Sequence, residues 1–160
     1  NGGHVTDLLL DVGNLYGGTS NSTCGFLISC LQRFAKLPNN LHIQLDGARC
    51  NKNKSFFTIL AHLIEKDIFS SIIVHFLPSG HSHAHADRYF STVRSMLDSQ
   101  EFYTPGELIS ALSTMTGVRS VRLDRINYDF KGWVESQIGK ELDGCFDSMH
   151  FRFEKKNGWL

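Results

Sequence analysis

The chain has 160 residues and a mass of 18.0 kDa, with 41% hydrophobic and 20% charged residues. That composition suits one globular domain with a packed core and excludes wholesale disorder. Sixteen basic residues balance sixteen acidic ones, which excludes a basic whole-domain footprint, so any nucleic-acid contact must use a local patch.

Asp7 to Val12 reads as a buried strand, with Leu8-Leu9-Leu10 closed by Gly13. A helix is expected over 21–36, with Leu27, Cys30, Leu31 and Phe34 on one face and Pro38-Asn39-Asn40 as its stop. Leu41 to Leu45 alternates like a strand and runs into Asp46. Phe56, Ile59, Leu60, Leu63 and Ile64 then give a helical stripe over 52–66. Ser71 to Leu77 is the third strand. A helix over 84–97 carries Tyr89, Phe90, Val93, Met96 and Leu97 inward.

Thr104-Pro105-Gly106-Glu107 has the pattern of a helix start, with threonine as cap, proline in the first turn and glutamate placed to close a capping box. Val118 to Leu123 is a fourth strand, and Asp129 caps a short helix bearing Phe130, Trp133 and Val134. Met149, Phe151 and Phe153 alternate with His150, Arg152 and Glu154 as a last, half-exposed strand. Strands alternating with helices predict an α/β fold around a central sheet with mainly parallel strands. Residues 1–160 read as one domain, with 101–160 as its C-terminal helix and strand extension.

No apolar run approaches the ~18 residues that would span a membrane. The cysteines at 24, 30, 50 and 145 include no CxxC pair, so reduced thiols in an intracellular compartment are expected. Because the chain starts at Asn1 rather than Met, it is expected to be cut from a longer protein.

Ligands of open α/β sheets bind beyond the carboxyl ends of the parallel strands. Two polar segments fall there. Asp46-Gly47-Ala48-Arg49-Cys50-Asn51-Lys52-Asn53-Lys54 follows the second strand. Its carboxylate suits a hard metal, and Arg49, Lys52 and Lys54 suit a phosphate. The competing reading is a solvated loop in which Asp46 caps the next turn. Gly80-His81-Ser82-His83-Ala84-His85-Ala86-Asp87 follows the third strand. Extended, it would align His81, His83 and His85 for zinc, whereas a polar loop capping the next helix needs no metal. A third candidate, Asp11-Val12-Gly13-Asn14 with Gly17-Gly18, has neither of the standard phosphate-loop spacings.

Leu45-Asp46 with Asn51-Lys52-Asn53, then Phe76-Leu77-Pro78-Ser79-Gly80-His81-Ser82-His83 and Asp87-Arg88-Tyr89-Phe90-Ser91, resemble a eukaryotic, transposon-associated domain family. Its members carry a D-N…N-K-N loop and a G-H-T-H…D segment about forty residues further on. Gly47 stands where relatives often have Asn. The family looks akin to ribonuclease-H-like DDE transposases and integrases. The resemblance therefore implies a ribonuclease-H-like layered fold, with a central mixed sheet flanked by helices and its first strands missing.

It further implies that Asp46 and Asp87 are catalytic acids holding Mg²⁺ or Mn²⁺ for phosphodiester cleavage or strand transfer on DNA. Lys52 and Asn53 would position the backbone, and His81 and His83 would orient the helix of Asp87 or meet the scissile phosphate. The leading acid of that fold is expected upstream of Asn1, with Asp11 as the nearest carboxylate in this chain. DNA is the expected partner and the nucleus the expected compartment, with a homo-oligomer left open and no membrane. The alternative function is a decayed, non-catalytic module that binds nucleic acid or protein.

Overall fold

The computed structural model of the chain describes residues 6–11, 20–48, 51–78, 85–124, 128–137 and 147–156. In chain order these form β1 (Thr6–Asp11), α1 (Ser20–Leu31), β2 (Asn40–Asp46), α2 (Lys54–Glu65), β3 (Ser71–Leu77), α3 (His85–Ser99), α4 (Pro105–Ser113), β4 (Val118–Asp124), α5 (Phe130–Gln137) and β5 (His150–Glu154). They fall into two compact units, each assembled from separate stretches of chain. The first takes residues 1–15 and 83–126, the second residues 16–82 and 127–160. Residues 101–160 thus contribute α4 and β4 to the first unit, and α5 and β5 to the second.

The second unit holds a three-stranded mixed sheet in the order β2-β3-β5. β2 and β3 run parallel, Asn40 opposite Ser71 and Asp46 opposite Leu77, and α2 connects them. β5 runs antiparallel to β3, with Phe151 opposite Val74 and His150 opposite His75. Alternation decides the faces. Ile72, Val74 and Phe76 are buried, while His42, Gln44, His75, His150 and Arg152 are exposed on the opposite side.

α2 covers the apolar face. Ser55 through Leu60 are all buried, as are Leu63 and Ile64, a wider arc than an ordinary amphipathic stripe. Phe57 carries the contact with the sheet. Its ring lies 4.6 Å from that of Phe151, 6.1 Å from Phe76 and 6.1 Å from Phe153. Such aromatic clusters add about 0.5–1.5 kcal/mol per pair to the gain from area burial. α1 contributes Cys24 and Leu31 to the same core.

Asn53 starts α2 as its cap, accepting the Phe56 amide at 3.0 Å. At the other end Asp67 adopts a left-handed conformation (φ 57°) and the Ile68 amide reaches back to Leu63 O, closing the helix. α1 ends at Leu31, five residues before its expected end. Phe34, expected on its apolar face, is 59% exposed.

In the first unit β1 and β4 form a parallel pair, Leu8 opposite Val121 and Leu10 opposite Leu123, with an irregularity between Thr6 and Asp7. The one central sheet expected from the sequence is divided, since β1 pairs with β4 in a two-stranded sheet of its own. A three-leucine run specifies a buried strand without specifying its neighbour, and that choice is made by contacts remote in sequence.

α4 begins as the sequence demands. Thr104 Oγ1 accepts the Glu107 amide at 3.2 Å, Glu107 accepts the Thr104 amide at 3.3 Å, and Leu112 is buried. Tyr89 of α3 donates to Thr116 O at 3.2 Å. The next residue, Gly117, has φ +83°, and any Cβ there would collide with the Tyr89 hydroxyl. Phe90 and Leu97, expected inward on α3, are 65% and 40% exposed, and the half-buried stripe narrows to Tyr89, Val93 and Met96.

Among the described residues the architecture is therefore α/β, with a small three-stranded mixed sheet, a two-stranded parallel sheet and five helices. Among the described residues no helix is long and apolar enough to cross a membrane.

Candidate functional site at the carboxyl end of the parallel strands

Parallel strands bring their carboxyl ends to one edge, and β2 delivers Asp46 there. The carboxylate is exposed, and its Oδ1 accepts two hydrogen bonds, from the Ala48 amide at 3.0 Å and from Asn51 Nδ2 at 2.6 Å. Asn51 is held in turn by Thr23 of α1, whose hydroxyl donates to Asn51 Oδ1 at 3.0 Å. The Asn51 and Lys52 amides both donate to Ala48 O, at 2.9 and 3.0 Å, which tightens the loop into a turn. Among the described residues Asp46 Oδ2 receives no hydrogen bond, so the loop orients the carboxylate through Oδ1 alone. Gly47 lets this turn pass close to β3, since a Cβ there would sit 3.4 Å from Leu77 O.

The lysines of the loop separate. Lys52 is 6% exposed, with Nζ 5.6 Å from the centroid of Phe76 and 6.0 Å from that of Phe151. It is an internal cation on the aromatic cluster rather than part of a surface strip. A cation over desolvated rings is held by about 2 kcal/mol or more. Lys54, the first residue of α2, is half-buried. Asn53 spends its side-chain oxygen on the α2 cap. Of the residues singled out from the sequence, Asp46, Lys52, Asn53 and Lys54 thus lie along the stretch from the end of β2 to the start of α2, with Lys52 turned into the core. Arg49, His81 and His83 lie outside the described residues.

Asp87 lies in the first turn of α3, in the first unit, while Asp46 belongs to the second. His85 begins that helix, while the other two histidines of the expected run, His81 and His83, lie outside the described residues. Among the described residues no group of three or more His, Cys, Asp or Glu side chains gathers to hold a metal.

One placement escaped the sequence reading. β4 ends on Asp124, in register with Asp11 at the end of β1. Three parallel strands therefore end on Leu-Asp: Leu10-Asp11, Leu45-Asp46 and Leu123-Asp124. The repeated dipeptide was visible in the sequence and marks carboxylates at the ends of three of the four described parallel strands, β3 ending instead on Leu77.

Two further groups of the second unit are held in defined surroundings. The Cys24 thiol is fully buried, and burial pushes its pKa up to about 12, which leaves it inert as a nucleophile. Asp129 caps α5, and its carboxyl is held below the usual carboxylate range by the Gly132 amide at 2.9 Å and by Asn21 at 3.3 Å.

The chain is thus an α/β protein with an exposed aspartate at the end of its parallel strand pair. It belongs to the family described as a domain of unknown function, DUF7869, which matches residues 3–159. No curated protein and no solved structure matches it.

Proposed function

We propose that the chain is a transposase-derived, nuclease-like domain of ribonuclease-H-like ancestry that acts on DNA phosphodiesters with Mg²⁺ or Mn²⁺. The observation that supports this reading is Asp46 at the carboxyl end of β2, beside parallel β3, with one oxygen fixed by Ala48 and Asn51 and the other left for a cation. An all-oxygen donor favours a hard ion over zinc. Asp87, reached through the Gly80-His81-Ser82-His83 segment and placed in the first turn of α3, is the second acid of the reading. Bound ions of this kind activate a water or hydroxyl and neutralise the leaving oxygen. The protein's own part is narrower. Asp46 holds the ion, Asn51 and Thr23 fix its rotamer, Lys54 meets a phosphate, and buried Lys52 supports the loop from beneath.

The alternative is a decayed binding module. It draws support from the same two hydrogen bonds, because an aspartate that accepts its i+2 amide is an ordinary turn device.

Manganese separates the two readings. Titrated into the ¹⁵N-labelled chain, Mn²⁺ is expected to broaden the Gly47 and Ala48 amides first, and Asp46→Asn and Asp87→Asn are each expected to suppress the effect. Broadening that survives Asp46→Asn, or none at all, would favour the binding module. DNA titrations at two salt concentrations test the phosphate contact. Lys54→Ala should lower affinity for all sequences alike and flatten the salt dependence by up to about one unit of slope. An unchanged curve removes this loop from the DNA-binding surface.

A further inference from the structure

The second unit contains a cavity of about 360 Å³ that plays no part in the site above. Its size lies within the ~300–1,000 Å³ of small-ligand pockets. Its floor is aliphatic, made by Ile28 of α1 with Ile59 and Leu63 of α2. Its walls are aromatic, made by Tyr128, Phe130 and Trp133 at the start of α5, with His62 beside them. The rings stand at angles to one another. Tyr128 and Phe130 lie 5.7 Å apart and tilted by 49°, and His62 meets Trp133 at 5.1 Å, edge to face. Such rings would ordinarily be buried, yet Tyr128 is 66% and Trp133 37% exposed.

Among the described residues the charge lining this pocket is one-sided. Asp129 is part of its lining, and its carboxyl is kept ionised by the Gly132 amide and Asn21. His62, the lining imidazole, faces Glu65 at 3.4 Å. The nearest lysine in sequence, Lys131, does not line the cavity and leans toward Glu135 at 3.9 Å. Aromatic faces present their negative quadrupole to a ligand, and a neighbouring carboxylate adds to it. A neutral apolar ligand would use the walls but not the charge. A compact inorganic cation would use the charge but not the walls. The geometry points to a methylated ammonium group as the ligand, whether of a free quaternary amine or of a methylated lysine side chain. Its methyl groups suit the almost wholly apolar lining, its charge meets the negative faces of the rings, and the Asp129 carboxylate, bound to the Gly132 amide and Asn21, adds to that field at longer range.

The test uses a matched pair of probes. Choline and 3,3-dimethylbutan-1-ol have the same shape and differ by the charge. The ¹⁵N indole resonance of Trp133, identified by its loss in Trp133→Phe, reports binding. Choline is expected to shift it saturably and at least fivefold more tightly than the neutral alcohol. Tyr128→Leu should weaken choline severalfold, and Tyr128→Phe should restore it. At 66% exposure, Tyr128 can be changed without unfolding the core.

Asp129→Asn keeps the capping oxygen and removes the charge, so it should weaken choline and leave the alcohol unchanged. A short peptide bearing trimethyllysine, run beside its unmethylated form, identifies the source. Tighter binding than choline assigns a protein ligand, weaker binding a free amine, and both support the site. Equal affinity for choline and the alcohol, or no saturable shift with choline or the methylated peptide, overturns it.

Discussion

Asp46 and Asp129 are held in nearly the same way. Each gives one oxygen to a nearby backbone amide and to an asparagine side chain: Ala48 and Asn51 for Asp46, Gly132 and Asn21 for Asp129. At Asp129 the arrangement starts a helix. It also joins α5 to α1, because Asn21 Oδ1 accepts the Lys131 amide at 2.8 Å. At Asp46 no helix follows directly. The same donors fix a carboxylate at the open end of a parallel strand pair, and the next helix has its own cap in Asn53. Hydrogen bonding alone therefore does not distinguish a cation ligand from a cap. The two aspartates differ in position: Asp46 ends a parallel strand, and the capping duty near it is carried by Asn53.

The comparison breaks most severely where the Asp46 loop rests on the core. Phe57→Ala removes the ring that touches Phe76, Phe151 and Phe153, and it should cost about 3–5 kcal/mol in denaturant unfolding. Because Lys52 lies over Phe76 and Phe151, the Asp46 loop should loosen with it, seen as faster hydrogen exchange at Asn51 and Lys52 than at the α5 start. Uniform loosening of both regions would show that the loop has no special dependence on the cluster.

Asn53→Ala deletes the α2 cap and should cost about 1 kcal/mol, within 0.5–2. Asp46→Asn retains an acceptor for Ala48 and should stay within ~0.5 kcal/mol of the parent, while removing Mn²⁺ binding. A large loss of stability in Asp46→Asn would make this aspartate a structural residue like Asp129.

Acid sharpens the contrast at Asp129. Its folded pKa is depressed below the ordinary value of 3.8, chiefly by the Gly132 amide and then by Asn21. A depressed pKa means that the carboxylate's contribution is fully present above that value and is lost as pH falls through the lower folded one. The difference in melting temperature between the parent and Asp129→Asn should therefore be constant at neutral pH and shrink below about 3.8. A difference that persists unchanged to the lowest pH would mean that the charge of Asp129 contributes nothing.

The smallest effect serves as a control within α2. Thr58 Oγ1 is buried and has no partner among the described residues, so Thr58→Val should be neutral or stabilising by at most about 1 kcal/mol in the same unfolding assay. A clear loss would reveal a hydrogen bond to this hydroxyl.

The sequence by itself determined the local elements. β3 occupies the expected span because a β-branched, alternating run admits little else, and the Thr104 capping box and the Asp129 cap form as their side-chain chemistry requires. It also marked the Asp46 loop, since a strand ending in Asp before a glycine turn is a local pattern. Only the tertiary structure decided the partners. β1 pairs with β4, α1 stops at Leu31, and Lys52 turns inward onto Phe76 and Phe151. Lys52 and Lys54 look alike in a string of polar residues. They part because the aromatic cluster that draws Lys52 in is assembled from α2, β3 and β5, segments up to a hundred residues apart. The same holds for the ring-lined cavity, whose walls follow residue 127 and whose floor precedes residue 64. Local chemistry fixes which residues can turn, cap or alternate, whereas burial and strand pairing depend on long-range packing that no short window contains.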